Sequence, residues 1–171
     1  MITIARIDER LIHGQVGYAW SVVYKSDAIM VIDNEISKDK FQISLLQMAC
    51  PAGVKCFVCD EDKAVEMLNK YAKKKIFVVV KHPGTLLHIY EKGVKLEKIN
   101  VGGLYFKEGR RQLSKTVYVD PEMEEIFKKL NELSFAKCPF SYDLTAKEKL
   151  RELTEERGDC DLVEKDVNKK V

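Results

Sequence analysis

One short segment near the start of the chain carries side chains that suit phosphoryl transfer. Arg6, Asp8, Arg10 and His13 lie close together in the sequence. A neutral imidazole has a free lone pair and can act as a nucleophile, and cationic neighbours disfavour the charged form of the ring. A phosphoryl group in transfer spreads negative charge over its equatorial oxygens, which Arg10 or Arg6 can bind. The segment therefore predicts a histidine that accepts a phosphoryl group beside an arginine that stabilises it.

Taken singly, each of these side chains has an ordinary role at a helix start, on the surface or in a turn. Their combination at a strand-to-helix turn favours the functional interpretation. A helix that begins near Gly14 would present free backbone N–H groups around Gln15, and such a terminus binds anions without help from side chains. Asp8 could orient either the ring of His13 or the side chain of Arg10, and the spacing does not choose between them.

The strands and helices that must position these side chains are readable from the hydrophobic pattern. Short runs rich in Val and Ile predict strands over residues 2–7, 28–32, 54–58, 76–80 and 98–101. Amphipathic segments between them predict helices over residues 14–24, 38–49, 63–73 and 85–91. The run at 76–80 is apolar throughout, as expected of a parallel strand covered on both faces. We therefore expect an α/β fold with a doubly wound, mostly parallel central sheet, helices on both faces and an antiparallel edge.

The C-terminal third follows this alternation less regularly. Residues 111–119 predict an extended segment, and Asp120-Pro121 opens a predicted helix that ends near residue 130. The segment around Cys138-Pro139 interrupts the pattern, and a helix over 146–157 and a short strand over 160–163 follow it. No second domain boundary is evident, so we expect residues 1–171 to form a single domain.

Further candidate site residues follow other strands of the predicted sheet. Ligands of open α/β sheets bind beyond the carboxyl ends of the strands. His82 follows the fourth strand and either lines the site or serves as a turn residue before proline, which is the favoured interpretation. Asn34 follows the second strand and either shapes the pocket wall or belongs to a polar turn. Gly102 and Gly103 either let the backbone approach a phosphate or a partner closely, or simply end the fifth strand.

Composition and charge exclude other classes of function. Lysine and arginine number 29 against 27 acidic residues, and a net charge of +2 argues against a nucleic-acid protein. No apolar run is long enough to span a membrane, no secretory signal is evident and the cysteines form no regular framework, which predicts a cytoplasmic protein.

The spacing of Cys56 and Cys59 matches redox and metal motifs. Residues three apart on a strand point to opposite faces, however, and no second pair completes a zinc site. A glycine-rich phosphate loop is also missing. We therefore expect core cysteines and no cofactor or metal.

The segment at 6–16, RIDERLIHGQV, resembles the signature of the IIB subunits of the mannose/fructose/sorbose family of sugar phosphotransferase systems. The resemblance extends to Asn100-Val101-Gly102-Gly103 and to the order of strands and helices up to about residue 130. It implies that His13 is phosphorylated on Nδ1 by the phosphohistidine of a IIA partner and passes the group to a sugar at the membrane IIC and IID subunits. It also implies an active-site role for Arg10, no metal and no nucleotide, and a cytoplasmic protein attached peripherally to the inner face of the membrane.

The resemblance also gives an expectation for the C-terminal part. In the family one helix and a final strand follow the position of Val119. This sequence instead predicts two helical stretches on either side of Cys138-Pro139, so the C-terminal third is expected to be arranged differently.

Two other functions are compatible with the same residues. A non-catalytic α/β module could use the basic loop to bind an anionic metabolite and regulate a partner, in which case phosphate would bind without covalent change. A carrier of the same pathway could instead use a cysteine, as the glucose and cellobiose IIB types do. No cysteine here lies in a strand-to-helix phosphate loop, so the histidine hypothesis is favoured.

Overall fold

The computed structural model describes residues 1–13, 21, 24–133 and 140–142, which form strands and helices in alternation. The strands are β1 Ile2–Ile7, β2 Ala28–Ile32, β3 Lys55–Cys59, β4 Ile76–Val80, β5 Ile99–Val101, β6 Arg111–Ser114, β7 Val117–Val119 and β8 Phe140–Tyr142. The helices are α1 Lys40–Met48, α2 Glu61–Lys70, α3 Pro83–Glu91 and α4 Pro121–Leu133, with a short 3₁₀ helix at Ile36–Lys38.

The described strands form one central sheet and one separate ribbon. The central sheet has the order β3-β2-β4-β1-β5-β8, and every neighbouring pair in it is parallel. Strands β6 and β7 pair antiparallel in the ribbon, which meets the rest of the chain through a bridge between Leu104 and Val117. All five residues of β4 are buried, as its unbroken apolar sequence predicts. The expected doubly wound, mostly parallel α/β fold is confirmed, and the ribbon supplies its antiparallel strands.

Two hydrophobic clusters cover the two faces of the sheet. On the first face, buried residues of β1, β4 and β5 pack against α2, α3 and α4. On the second face, Ile4, Val31 and Val79 pack against Leu11 and Ile12, with the half-buried Leu46 of α1 beside them. Right-handed crossovers explain why the helices are divided between the two faces. The connections from β1 to β2 and from β2 to β3 move toward the β3 edge of the sheet, and the later connections move toward the β8 edge.

The carboxyl end of β1 therefore lies where neighbouring loops diverge. After β1 the chain turns toward the second face, where Leu11 and Ile12 are buried. The strands on either side of β1 are β4 and β5, and both lead to the first face. Such a divergence opens a crevice at the carboxyl edge of the sheet, which is where α/β folds bind ligands.

Acidic side chains fix the starts of the helices. Asp39 accepts hydrogen bonds from the N–H groups of Phe41 and Gln42, so α1 begins at Lys40 rather than at the predicted residue 38. Asp60 caps α2 in the same way through the N–H of Lys63. Asp120 caps α4 through the N–H of Met123, at a distance of 2.9 Å.

The final strand differs from the sequence prediction. Residues 140–142 fall in the segment where the pattern was expected to break, yet they form β8, which pairs with β5. One helix and one strand thus follow Val119 in the described residues, and the expected departure of the C-terminal third from the family order stays a prediction. The predicted helix at 146–157 and strand at 160–163 lie outside the described residues, as do Gly14 and Gln15.

Of the predicted helix at 14–24, the structure describes only Ser21, which is helical, and Tyr24, which lies in a turn. Within the part of the chain that the structure describes, no helix combines the length and hydrophobicity needed to cross a membrane.

Candidate active site

The carboxyl ends of β1, β4 and β5 bring the predicted site residues to one edge of the sheet. The N–H of Asp8 donates to the carbonyl of Val80 at 2.8 Å, and the N–H of Gly102 donates to the carbonyl of Ile7 at 2.8 Å. These bonds attach the loop after β1, residues 8–13, to the ends of both neighbouring strands. We call residues 8–13 the histidine loop.

Arg6 is buried inside this edge and is held by two polar side chains. Its guanidinium pairs with Asp8 at 2.8 Å, and it also donates to the side-chain oxygen of Asn100. Arg6 and Asn100 are in register on adjacent parallel strands, so their side chains leave the sheet on the same face. Arg6 is only 4% exposed, so its guanidinium lies in the interior of this edge.

Asp8 organises the histidine loop from within. It is fully buried, and one of its carboxylate oxygens accepts from Arg6 while the other accepts from the backbone N–H of Arg10 at 3.0 Å. Its carbonyl also accepts from the N–H of Leu11 at 2.9 Å. Among the described residues, Asp8 thus contacts the Arg6 side chain and the backbone of the loop. No contact in this part of the chain joins Asp8 to the ring of His13.

The two adjacent glycines each make room for one side chain of the site. A Cβ atom on Gly102 would collide with the guanidinium of Arg6, which Asp8 and Asn100 prevent from moving aside. A Cβ atom on Gly103 would lie 2.6 Å from the phenol oxygen of Tyr105. The glycines therefore permit close packing of this chain's own side chains against the backbone.

Glu9 ties the histidine loop to the segment after β5, a contact that the sequence analysis did not identify. Its carboxylate accepts hydrogen bonds from the N–H of Tyr105 at 2.9 Å, from Lys107 at 2.7 Å and from Arg110 at 2.9 Å. Burial alone would raise the pKa of Glu9, but the hydrogen bonds from Lys107, Tyr105 and Arg110 outweigh it and lower the pKa. Glu9 therefore stays ionised and keeps all three bonds.

Arg10 is the exposed arginine of the site. Its guanidinium carbon lies 5.3 Å from the centroid of the Tyr105 ring, within the range of a cation–π interaction. Among the described residues the Arg10 guanidinium has no carboxylate partner. Of the two arginines, Arg10 thus has the more exposed guanidinium.

His13 is half-buried at the end of the loop, and its two ring nitrogens have different surroundings. Nδ1 lies 3.1 Å from the carbonyl oxygen of Leu11, while Nε2 is shielded from solvent and has no hydrogen-bond partner among the described residues. Leu11 has a φ of 58°, a left-handed conformation that is unfavourable for leucine. Because such strain concentrates at functional sites, the conformation that sets the Leu11 carbonyl against the ring supports a functional loop.

His82 lies at the same edge of the sheet but has a structural contact of its own. Its Nδ1 accepts a hydrogen bond from the N–H of Gly84 at 3.1 Å and so caps α3. Burial lowers the pKa of His82, an effect that the nearby carboxylates of Glu122 and Asp120 only partly offset. The ring therefore favours its neutral form, which keeps Nδ1 available as the cap, in line with the turn interpretation.

Asn34 also has a structural contact. Its side-chain oxygen accepts from the backbone N–H of Glu61 at 3.0 Å, which links the end of β2 to the start of α2. Neighbouring Asp33 forms an ion pair with Lys81 at 3.4 Å. These contacts match the polar-turn interpretation of Asn34 and do not join it to the histidine loop.

The cysteines of the described segments pack on both faces of the sheet. Cys59 belongs to the first face and Cys56 packs on the second, so the two point in opposite directions, as predicted. Burial raises the pKa of Cys59 to about 11, and a hydrogen bond with Cys50 together with burial raises that of Cys56. A raised pKa makes the thiols of Cys56 and Cys59 poor nucleophiles, whereas the same hydrogen bond lowers the pKa of Cys50. Within the described residues no three His, Cys, Asp or Glu side chains are grouped so that they could hold a metal ion.

The fold and this edge define a doubly wound α/β domain with a histidine on the loop after its central strand. A family model for the sorbose-subfamily IIB component of phosphotransferase systems matches residues 2–149. The chain belongs to this family and is a IIB component of a sugar phosphotransferase system.

Individual relatives agree with this assignment. A sorbose-specific EIIB component from Lacticaseibacillus casei is 38% identical over 135 residues, which cover 78% of this chain and 82% of that protein. A mannose-specific EIIAB component from Escherichia coli K12 is 38% identical over 133 residues, which cover 77% of this chain but 41% of that protein. The crystal structure of the IIBSor domain of the sorbose permease from Klebsiella pneumoniae superimposes with a TM-score of 0.80 at 31% identity, covering 94% of this chain and 99% of that one.

Proposed function

We propose that this IIB component accepts a phosphoryl group on His13 from the phosphohistidine of a IIA protein and passes it to a sugar bound by membrane IIC and IID subunits. The observation that carries the proposal is the placement of His13, which ends a strained loop at the carboxyl edge of the sheet, three residues after the exposed Arg10. Family membership supports a transferase role for this edge.

The two transfers balance without any further reactant. In the first, the nitrogen of His13 forms a bond to phosphorus as the bond between phosphorus and the donor imidazole breaks. In the second, an oxygen of a sugar hydroxyl forms the bond to phosphorus as the bond between phosphorus and His13 breaks, and the hydroxyl proton goes to the released imidazole. Arg10 neutralises the charge on the equatorial oxygens in both steps.

The contacts of the ring bear on which nitrogen reacts. A carbonyl oxygen can only accept, so the contact between Nδ1 and the Leu11 carbonyl places a proton on Nδ1 and the lone pair on Nε2. The family resemblance implies phosphorylation on Nδ1. We infer that the ring turns away from Leu11 and exchanges its proton before Nδ1 accepts the phosphoryl group.

Partner proteins follow from the same proposal. In the Escherichia coli relative the name EIIAB denotes a protein with IIA and IIB parts, which supports a IIA protein or domain as the donor here. The acceptor complex is formed by the membrane subunits IIC and IID. The protein then works in the cytoplasm, peripherally at the inner face of the membrane, and needs no cofactor.

Incubation of the full chain with a phosphorylated IIA protein tests this function. We expect covalent transfer of one phosphoryl group that is stable in alkali and lost in acid, because phosphohistidine hydrolyses in acid. Phosphate that binds without covalent modification would instead support the regulatory module. An acid-resistant label would support a phosphocysteine and contradict the role of His13.

A further inference from the structure

The aromatic ring beside Arg10 has no role in the function proposed so far. We propose that Tyr105 is a positioning residue, which holds the Arg10 guanidinium at the mouth of the site, and that Glu9 fixes Tyr105 in place. This inference rests on the proposed function, since it concerns the arginine that binds the transferred phosphoryl group.

Arg10 needs such a support because its side chain is long and exposed. The Tyr105 ring lies 5.3 Å from its guanidinium carbon. The Tyr105 side chain is itself 36% exposed, so the pair lies at the surface of the site rather than in the core. A guanidinium that stacks on a ring keeps its donors free for an anion, whereas an ion pair with a carboxylate would occupy them.

Tyr105 is held from three directions. Its backbone N–H donates to Glu9 at 2.9 Å, and its carbonyl accepts from Arg110 at 2.8 Å. Its phenol lies against the backbone of Gly103, where a Cβ would come within 2.6 Å of the oxygen. The ring is thus fixed with respect to the loop that carries both Arg10 and His13.

The residues that hold Tyr105 are themselves bound to other parts of the chain. The side chain of Arg110 is only 6% exposed and bonds to Glu9 at 2.9 Å, with Asp120 at 3.6 Å on its other side. The N–H of Glu9 donates to the carbonyl of Gly103 at 2.8 Å. The histidine loop and the segment at 104–110 therefore form one hydrogen-bonded unit, in which Tyr105 supplies the surface beneath Arg10.

The test compares phosphoryl transfer from a phosphorylated IIA protein to four variants by rapid quench. Removal of the ring in Tyr105→Leu should lower the rate constant about two- to five-fold, the range for a cation–π pair at a partly exposed site. Tyr105→Phe keeps the ring and should transfer at the wild-type rate. Arg10→Ala should be slower than either, and Tyr105→Leu added to Arg10→Ala should cause no further loss, because the ring acts through Arg10.

Several results would overturn the inference. If Tyr105→Leu transfers at the wild-type rate, the role of Tyr105 is overturned. The proposed function still stands in that case, because His13 is labelled. Tyr105→Leu could also lower the rate constant by the same factor in the wild-type protein and in Arg10→Ala, or Tyr105→Phe could be as slow as Tyr105→Leu. Either result would mean that the ring does not position Arg10. Failure of the wild-type protein to accept phosphate would overturn both proposals. Thermal unfolding of each variant reports whether a loss of rate comes from a loss of folded protein.

Discussion

The His13→Ala variant is expected to fold like the wild-type protein and to accept no phosphoryl group. The substitution removes the proposed nucleophile, for which no other side chain in the histidine loop can substitute. The hydrogen bond that it removes among the described residues is the contact between Nδ1 and the Leu11 carbonyl, and such a bond contributes about 1 kcal/mol net. Transfer from a phosphorylated IIA protein and the free energy of unfolding in urea measure the two effects separately.

His82→Ala is the matched control, because His82 lies at the same edge of the sheet. It should still accept the phosphoryl group, although loss of the cap on α3 should lower stability by roughly 1 kcal/mol. Labelling of His13→Ala at the wild-type level would remove His13 from the mechanism. Loss of labelling in His82→Ala with the fold intact would show that the turn interpretation of His82 is incomplete.

Asp8→Ala is expected to destabilise the protein more than any other change at the site. Arg6 and Asp8 form a buried pair at 2.8 Å, and their side chains are 5% and 0% exposed. Removal of Asp8 takes the carboxylate away from a buried guanidinium, and breaking a buried ion pair in this way costs about 3–5 kcal/mol. Total stabilities of about 5–15 kcal/mol are typical, so this loss is a large fraction of the free energy of unfolding. Urea denaturation of the full chain measures it.

The double variant Arg6→Met/Asp8→Ala provides the control for Asp8→Ala. It also removes the buried guanidinium charge and puts an apolar side chain in its place, so it should recover at least about 1 kcal/mol of the loss. The remaining deficit reports the hydrogen bond that the Asp8 carboxylate accepts from the backbone N–H of Arg10 and the bond between Arg6 and Asn100. A loss below about 1 kcal/mol in Asp8→Ala alone, or a double variant no more stable than the single one, would mean that Arg6 is not held as described.

Much of the fold follows from local sequence signals. Strands β1, β2 and β4 have the predicted bounds, because β2 and β4 are continuous apolar runs and β1 is rich in isoleucine. Strand β8 could not be predicted in this way. It is three residues long, and its pairing with β5 depends on contacts about 40 residues apart in the sequence rather than on local propensity.

The site was predictable as a cluster but not in its internal arrangement. The motif brings two arginines together, but only the strand pairing shows that Arg6 faces Asn100 in the interior while Arg10 is exposed. A polar Asn100 within the buried strand β5 was the sequence signal for that pairing. The bonds of Glu9 to the segment after β5 span 96 to 101 residues, so no local pattern could reveal them.

The different roles of Gly102 and Gly103 could not be predicted from the sequence either. The sequence shows that neither has a side chain, but not which neighbour uses the space. The structure assigns the space at Gly102 to Arg6 and that at Gly103 to Tyr105. Each glycine thereby supports a different arginine, the first directly and the second through the ring that lies against Arg10.

Peptide mapping of the phosphorylated protein tests the central claim most directly. After transfer from a phosphorylated IIA protein, digestion and tandem mass spectrometry in neutral to alkaline buffer, where phosphohistidine survives, should locate the added phosphate on His13. A phosphate on His82, on one of the cysteines or on any other side chain would contradict the account.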